Sequence, residues 1–217
     1  MALSKVQLKR VWIAVITVFL ILILDQSSKV WVKTSMLFGE NNSIEIFSWF
    51  KILFIENPGM AFGIDIIDTY ILTILRIIFV FLLGGFIFSL VKRNFQFGYI
   101  LCLSCIFAGA LGNIIDGMFY GMLFSESNYH QVAAFMPEGG GYSTFLHGKV
   151  VDMLYFPLIR STWPEWMPFW GGEDLVFFRP IFNIADSAIC VGAFLLFIFY
   201  KDSLSTSLVK EESAHDE

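Results

Sequence analysis

Four stretches of this chain, about 11–32, 70–91, 98–120 and 183–200, approach the ~20 consecutive apolar residues that a helix needs to cross a bilayer. A lone apolar segment in hydrocarbon can satisfy its backbone only internally, so each is predicted to be helical. Composition agrees. The chain is 57% hydrophobic and 15% charged, with a mean hydropathy of +0.71, against about 45–50% and about 25% for a typical soluble domain. Lipid is the solvent for much of it.

The first stretch has features of a cleavable leader, since Lys5, Lys9 and Arg10 precede its apolar core. Asp25-Gln26-Ser27-Ser28-Lys29 then stands where a small-x-small cleavage site belongs, and apolar character resumes after it. It reads as an uncleaved membrane helix. Basic residues set the expected orientation. Three of the first ten residues are basic and the short link 92–97 carries two, whereas the connections 33–69 and 121–182 hold few. Both termini and the short link are therefore expected on the cytoplasmic side, and the two long connections outside. The expected fold is an all-α membrane protein of four transmembrane helices with a small extracytoplasmic β-rich element and an expanded extracytoplasmic loop. Residues 1–201 read as one domain. Residues 202–217 are polar and mixed in charge and read as a disordered cytoplasmic tail.

In the outer segments, residues 40–56 are rich in β-branched and aromatic side chains and predict short interfacial strands. Residues 163–170, Trp-Pro-Glu-Trp-Met-Pro-Phe-Trp, suit the headgroup layer, as a membrane anchor or as a substrate contact. Gly139-Gly140-Gly141 marks a flexible turn that could hinge a lid.

Several chemistries are excluded. A net charge of −5 argues against nucleic acid. His130, His147 and His215 form no H-E-x-x-H and no close-spaced ligand set, and neither a G-x-S-x-G elbow nor a Walker A motif is present. Cys102, Cys105 and Cys190 all lie in apolar runs, so Cys102-Leu-Ser-Cys105 reads as packing rather than redox chemistry. Ionisable groups near hydrocarbon remain to be explained, each costing about 2.5–3.5 kcal/mol on the lenient insertion scale. On the outer side these are Asp25, Lys29, Asp116, Asp152 and Asp186. Two close aspartates cannot both ionise, so one can keep a proton while the other activates water. Simpler roles stay open. Asp186 suits the dipole of any helix start, Asp25 and Lys29 have the spacing of an intrahelical pair, and Asn113 and Asn183 could cap or bridge helices. A small proton-coupled transporter would also bury carboxylates, although no internal repeat is visible. A presenilin-like protease lacks its Gly-x-Gly-Asp signature here.

Five strings in order resemble the lipoprotein signal peptidases, also called signal peptidase II. They are 25–29, Asn57-Pro58-Gly59-Met60-Ala61-Phe62-Gly63, Gly109-Ala110-Leu111-Gly112-Asn113-Ile114-Ile115-Asp116, Val150-Val151-Asp152, and Phe182-Asn183-Ile184-Ala185-Asp186. The resemblance covers roughly residues 11–200. It implies a monomeric aspartic endopeptidase of the bacterial cytoplasmic (inner) membrane, active at the extracytoplasmic side and without metal or cofactor. Its partners would be membrane lipids and diacylglyceryl-modified prolipoproteins, cut just before the lipidated cysteine. It carries catalysis onto Asp152 and Asp186, substrate binding onto Asn57, Gly59, Asn113 and Asn183, and site support onto Asp25, Lys29 and Asp116. Two departures stand out. Gly117 occupies a position where the family usually has arginine, leaving open what pairs with Asp116, with Arg76 or Arg179 as candidates. The connections flanking Asp152 are also expanded, and they could cover the site or recognise particular precursors.

An aspartic mechanism predicts that cleavage of a lipidated precursor persists in strong chelator and after treatment with serine- or cysteine-directed reagents. Activity lost to chelation and restored by one divalent ion would exclude that mechanism.

Overall fold

The computed structural model of the chain describes residues 3–58 and 68–207. Contacts divide it into two units. The first contains the described residues of Met1–Ser27, Tyr70–Ile115 and Ile184–Glu217, and the second those of Ser28–Thr69 and Asp116–Asn183.

The long helices are α1 (Lys5–Ser35), α2 (Thr69–Lys92), α3 (Phe97–Ile115) and α5 (Ile184–Phe199). Helix α3 runs on through a π-helical turn, Asp116–Tyr120, into the single turn α4 (Gly121–Leu123). Among the described residues, three helices are long and apolar enough to cross a membrane: Lys5–Ser35, Thr69–Lys92 and Phe97–Leu123. The count reaches four if α5 and the helix Lys201–Ser207, bent from it by 90°, form one span. Large apolar side chains on α1, α2 and α5 are left uncovered by protein, among them Phe19 (62%), Phe81 (77%) and Phe194 (63%). Such surface belongs in lipid, and the chain is a multi-pass membrane protein.

In the first unit α3 packs on α5 through small residues. A Cβ added at Gly109 would lie 2.2 Å from the Ala185 carbonyl oxygen, and one at Gly192 would lie 2.7 Å from that of Cys102. With no hydrophobic drive between helices in lipid, close backbone approach of this kind supplies the attraction. The cysteines are free thiols, and Cys102 and Cys105 border this contact. Residues 202–207, read from the sequence as the start of an unstructured tail, are helical. Buried Ser207 exchanges a 3.0 Å hydrogen bond with the Tyr99 hydroxyl, which holds them. Residues 208–217 lie outside the described part.

The second unit is built on a four-stranded antiparallel sheet in the order β1-β2-β3-β6, from β1 (Ile44–Phe47), β2 (Phe50–Asn57), β3 (Val150–Tyr155) and β6 (Ile181–Phe182). The strands expected over 40–56 are present as β1 and β2. The β content is nevertheless larger than that expectation. The run around Asp152 is a strand, and the stretch from 156 to 180 folds out as a hairpin of β4 (Ile159–Thr162) and β5 (Asp174–Phe177). Nearly every residue of β3 is buried, so it lacks the alternation that marks a half-exposed strand. One face packs Phe54, Tyr120, Phe124, Val151 and Met153 into a core. Elsewhere Phe156 stacks between Phe50 (4.7 Å) and Phe182 (5.6 Å). Of the triple glycine, Gly140 (φ 85°) makes the turn, but a Cβ at Gly141 would lie 2.1 Å from the Gly121 carbonyl oxygen. Gly141 is thus a close-packing position, not a hinge.

Gly109→Val forces α3 away from α5, because its first obstacle is backbone. The variant is expected to lose about 1–3 kcal/mol or more of stability, read as a lower melting temperature in detergent. Gly85→Ala, which meets nothing within 4 Å, is its control and should leave melting unchanged or slightly raised.

Candidate active site

Each proposed aspartate is held by an asparagine of its own unit. In the first unit Asp186 stands in the opening turn of α5, where the helix dipole favours a carboxylate. Its Oδ1 accepts a hydrogen bond from Asn113 Nδ2 on α3 at 2.7 Å. The same turn is capped from α1, where fully buried Asp25 accepts the Ala185 backbone N–H at 2.8 Å. Gln26 donates to Asp25 (3.1 Å) and to the Gly112 carbonyl (3.2 Å). A Cβ at Gly112 would lie 2.7 Å from Asp25 Oδ2, which explains why glycine suits that position.

In the second unit Asp152 lies on β3 opposite Ile55, just after a bulge between Ile52 and Ile55 of β2. Such bulges re-aim side chains. Asp152 is 5% exposed, and its Oδ1 accepts from Asn183 Nδ2 at 2.8 Å. Asn183, fully buried, also donates to the Val151 carbonyl at 3.3 Å. The neighbouring Val151 N–H donates to Asp116 Oδ2 at 3.3 Å, and that oxygen also receives Lys29 Nζ at 2.9 Å. Lys29 and Asp116 are both fully buried. The cation beside Asp116 is thus Lys29, reaching over from α1. Arg179 instead donates to the Asp174 carbonyl at 3.4 Å. Gly117 is buried and accepts the Gly148 N–H at 2.9 Å. Asn57 ends β2 opposite Val150. Gly59 and the rest of its string to Gly63 lie outside the described residues.

A second buried charge cluster escaped the sequence reading. Glu56, beside Asn57 on β2, binds Lys33, and Lys149 approaches it at 3.5 Å. Lys33 also donates to Ser127 Oγ at 3.0 Å and sits 5.0–5.5 Å from the ring centres of Phe54, Phe124 and Tyr142. Those rings offer cation–π attraction to a desolvated ammonium. The Tyr142 hydroxyl accepts the Lys149 backbone N–H at 2.7 Å, and burial pushes its phenol far up from the ordinary range, so it stays protonated. A signal was available: Asp25, Lys29 and Lys33 repeat every fourth residue of α1 and share one face.

Beside Asp152 opens a groove of about 870 Å³. One wall is the end of β2, Ile55 to Pro58, and the other is Val176 with Phe178 to Ile181 from the expanded segment. The three tryptophans of that segment do not line it. They sit on the β4–β5 tip, where Trp166 is 80% exposed and Trp163 and Trp170 are 6.4 Å apart.

Apolar spanning helices, a small antiparallel sheet and aspartates oriented by asparagines define a membrane enzyme of the carboxylate type in outline. Comparison with known proteins makes this specific. Residues 17–201 match the family model described as signal peptidase (SPase) II. A lipoprotein signal peptidase of Porphyromonas gingivalis is 47% identical over 195 residues, covering 88% of this chain and 84% of the relative. One from Amoebophilus asiaticus is 34% identical over 210 residues, covering 94% and 84%. A solved structure described as a bacterial membrane enzyme, determined by the in meso method at 1.9 Å resolution, superposes with a TM-score of 0.55 at 25% identity, covering 87% of this chain and 93% of that one. The chain belongs to the signal peptidase II family, which makes it a peptidase; nothing in these comparisons favours a transporter.

Breaking a buried pair strands a charge. Lys29→Met is expected to destabilise the protein by about 3–5 kcal/mol, and adding Asp116→Asn should recover part of that loss. Thermal unfolding of both variants in detergent checks this; a double variant no better than Lys29→Met alone would contradict the assignment.

Proposed function

We propose that this chain removes the signal peptide from diacylglyceryl-modified prolipoproteins, cutting just before the lipidated cysteine, with Asp152 and Asp186 as an aspartic pair. Family membership supplies the reaction. The observation that carries the residue assignment is the matched pair of amide contacts, Asn183 to Asp152 and Asn113 to Asp186. An amide orients a carboxylate without supplying a full positive charge, so either acid is able to hold a proton during turnover. In this mechanism the ionised aspartate takes a proton from water, which attacks the scissile carbonyl. The protonated partner donates to the carbonyl oxygen, and a proton then passes to the leaving amide nitrogen. Asn57 and Gly59 hold the substrate peptide, with Asn113 and Asn183 serving both substrate and aspartates. Asp25, Lys29 and Asp116 support the site, and residues 1–201 act as one peptidase.

The membrane is the bacterial inner membrane, crossed four times with both termini cytoplasmic and catalysis at the extracytoplasmic face. The distribution of basic residues supports this orientation. The aromatic β4–β5 tip rests at headgroup depth, and the expanded segment shields the site from bulk water.

Asp152→Asn and Asp186→Asn should each lower cleavage of a lipidated precursor by about a hundred- to ten-thousand-fold while leaving the melting temperature near that of the parent. Near-normal turnover in either variant would exclude that residue from catalysis.

A further inference from the structure

The charges lining the groove at Asp152 are unequal in how they are answered. Glu56 faces Lys33 and Lys149, and Asp152 is bound by Asn183. Arg179 donates only to the Asp174 backbone carbonyl, at 3.4 Å, and among the described residues no carboxylate lies within ion-pair distance of it. The position is built. Phe178 takes a left-handed φ of 66° and packs edge-on against Phe182 of β6 at 6.3 Å, and Pro180 follows Arg179 with its φ fixed. A bulky residue at positive φ is disfavoured and persists only where its surroundings enforce it. The rest of the lining is chiefly apolar, Ile55, Pro58, Val176 and Ile181 among it, and suits an extended peptide.

We propose that Arg179 is a specificity-determining residue that selects precursors carrying an aspartate or glutamate within a few residues of the scissile bond. This rests on Asp152 acting in the cleavage proposed above, since Asp152 and Arg179 line one groove. A guanidinium presents a planar fork that matches a carboxylate with two parallel hydrogen bonds, which a neutral amide cannot return with equal strength. The groove already holds two acidic residues, so an acidic peptide side chain is admitted only next to the cation. Charge complementarity of this kind sets which partner is accepted more than how tightly any partner binds.

The test uses the full-length enzyme and lipidated precursor peptides in pairs that differ by Glu against Gln at one position, scanned on both sides of the cleavage point. At one position or more, the parent enzyme is expected to show about three- to five-fold higher kcat/KM for the Glu peptide, expressed in KM. That preference should shrink as salt rises toward about 0.5 M. Arg179→Gln should bring the ratio to about one, Arg179→Lys should keep part of it, and Arg179→Glu should favour a Lys peptide at that position. The proposal fails if the parent shows no Glu preference at any position, if Arg179→Gln leaves the ratio intact, or if Gln and Lys variants lose both peptides equally. A parent enzyme that cuts no lipidated precursor would instead overturn the cleavage reading, and the selectivity with it.

Discussion

A charge withdrawn from water is tolerated only when another group answers it, and the buried pair Lys29–Asp116 is where this constraint bears most on the structure. Both are fully buried, 2.9 Å apart, and the effective penalty for stranding either is several kcal/mol. Asp116 also accepts the Val151 N–H, which ties the backbone of β3 to the π-helical turn one residue before Asp152. A π turn adds a residue to the helical repeat and is found preferentially at functional sites. Here it carries Asp116, at the end of a helix otherwise devoted to apolar packing. The support for the catalytic strand is therefore ionic, and it is separate from the aspartate it positions.

The contrast between the aspartates is instructive. Asp116 and the Glu56 carboxylate each have a cation, which favours their ionised form. Asp152 and Asp186 have amides. For a residue that must alternate between accepting and donating a proton, a permanent cation at contact would oppose half the cycle, whereas an amide fixes the carboxylate plane and leaves the charge free to change. The same logic explains Asp25. Its carboxylate answers the orphan N–H of Ala185 at the start of α5, so the turn that carries Asp186 is anchored by a group with no need to titrate.

Much of this was legible in the sequence, for identifiable reasons. Hydrocarbon thickness sets helix length, so 70–91 and 98–120 foretold α2 and α3 closely, and the β-branched run at 40–56 foretold β1 and β2. The carboxylates stood out because apolar runs make them anomalous. What stayed hidden depended on contacts distant in sequence. Val150–Tyr155 is buried throughout, so its apolar run carries no period that separates strand from helix. Glu56 stands beside a recognisable Asn-Pro-Gly string, but its two lysines come from positions 23 residues before it and 93 after it. Gly141 reads as part of a flexible triplet, and only its closeness to Gly121 shows that it is confined.

The expanded segment shows how a family member can alter its groove without disturbing its chemistry. The chain leaves the sheet at Tyr155 and returns at Ile181, and these two residues face each other in the β3–β6 ladder. Whatever is inserted between them begins and ends at one rung, so Asp152, three residues earlier on β3, keeps its register. The thermodynamic cost of added length is small, about 0.6 kcal/mol for each doubling of a flexible loop, and here the β4–β5 pairing from Ile159–Phe177 to Thr162–Asp174 offsets part of it. The returning strand then does two things at once. Phe182 completes the aromatic stack on Phe156, while Phe178 to Ile181 form the groove wall opposite the end of β2. An insertion at that rung changes what a substrate meets beside Asp152 and leaves the buried ion pairs and the bulged strand untouched, which makes it a physically inexpensive place for selectivity to arise.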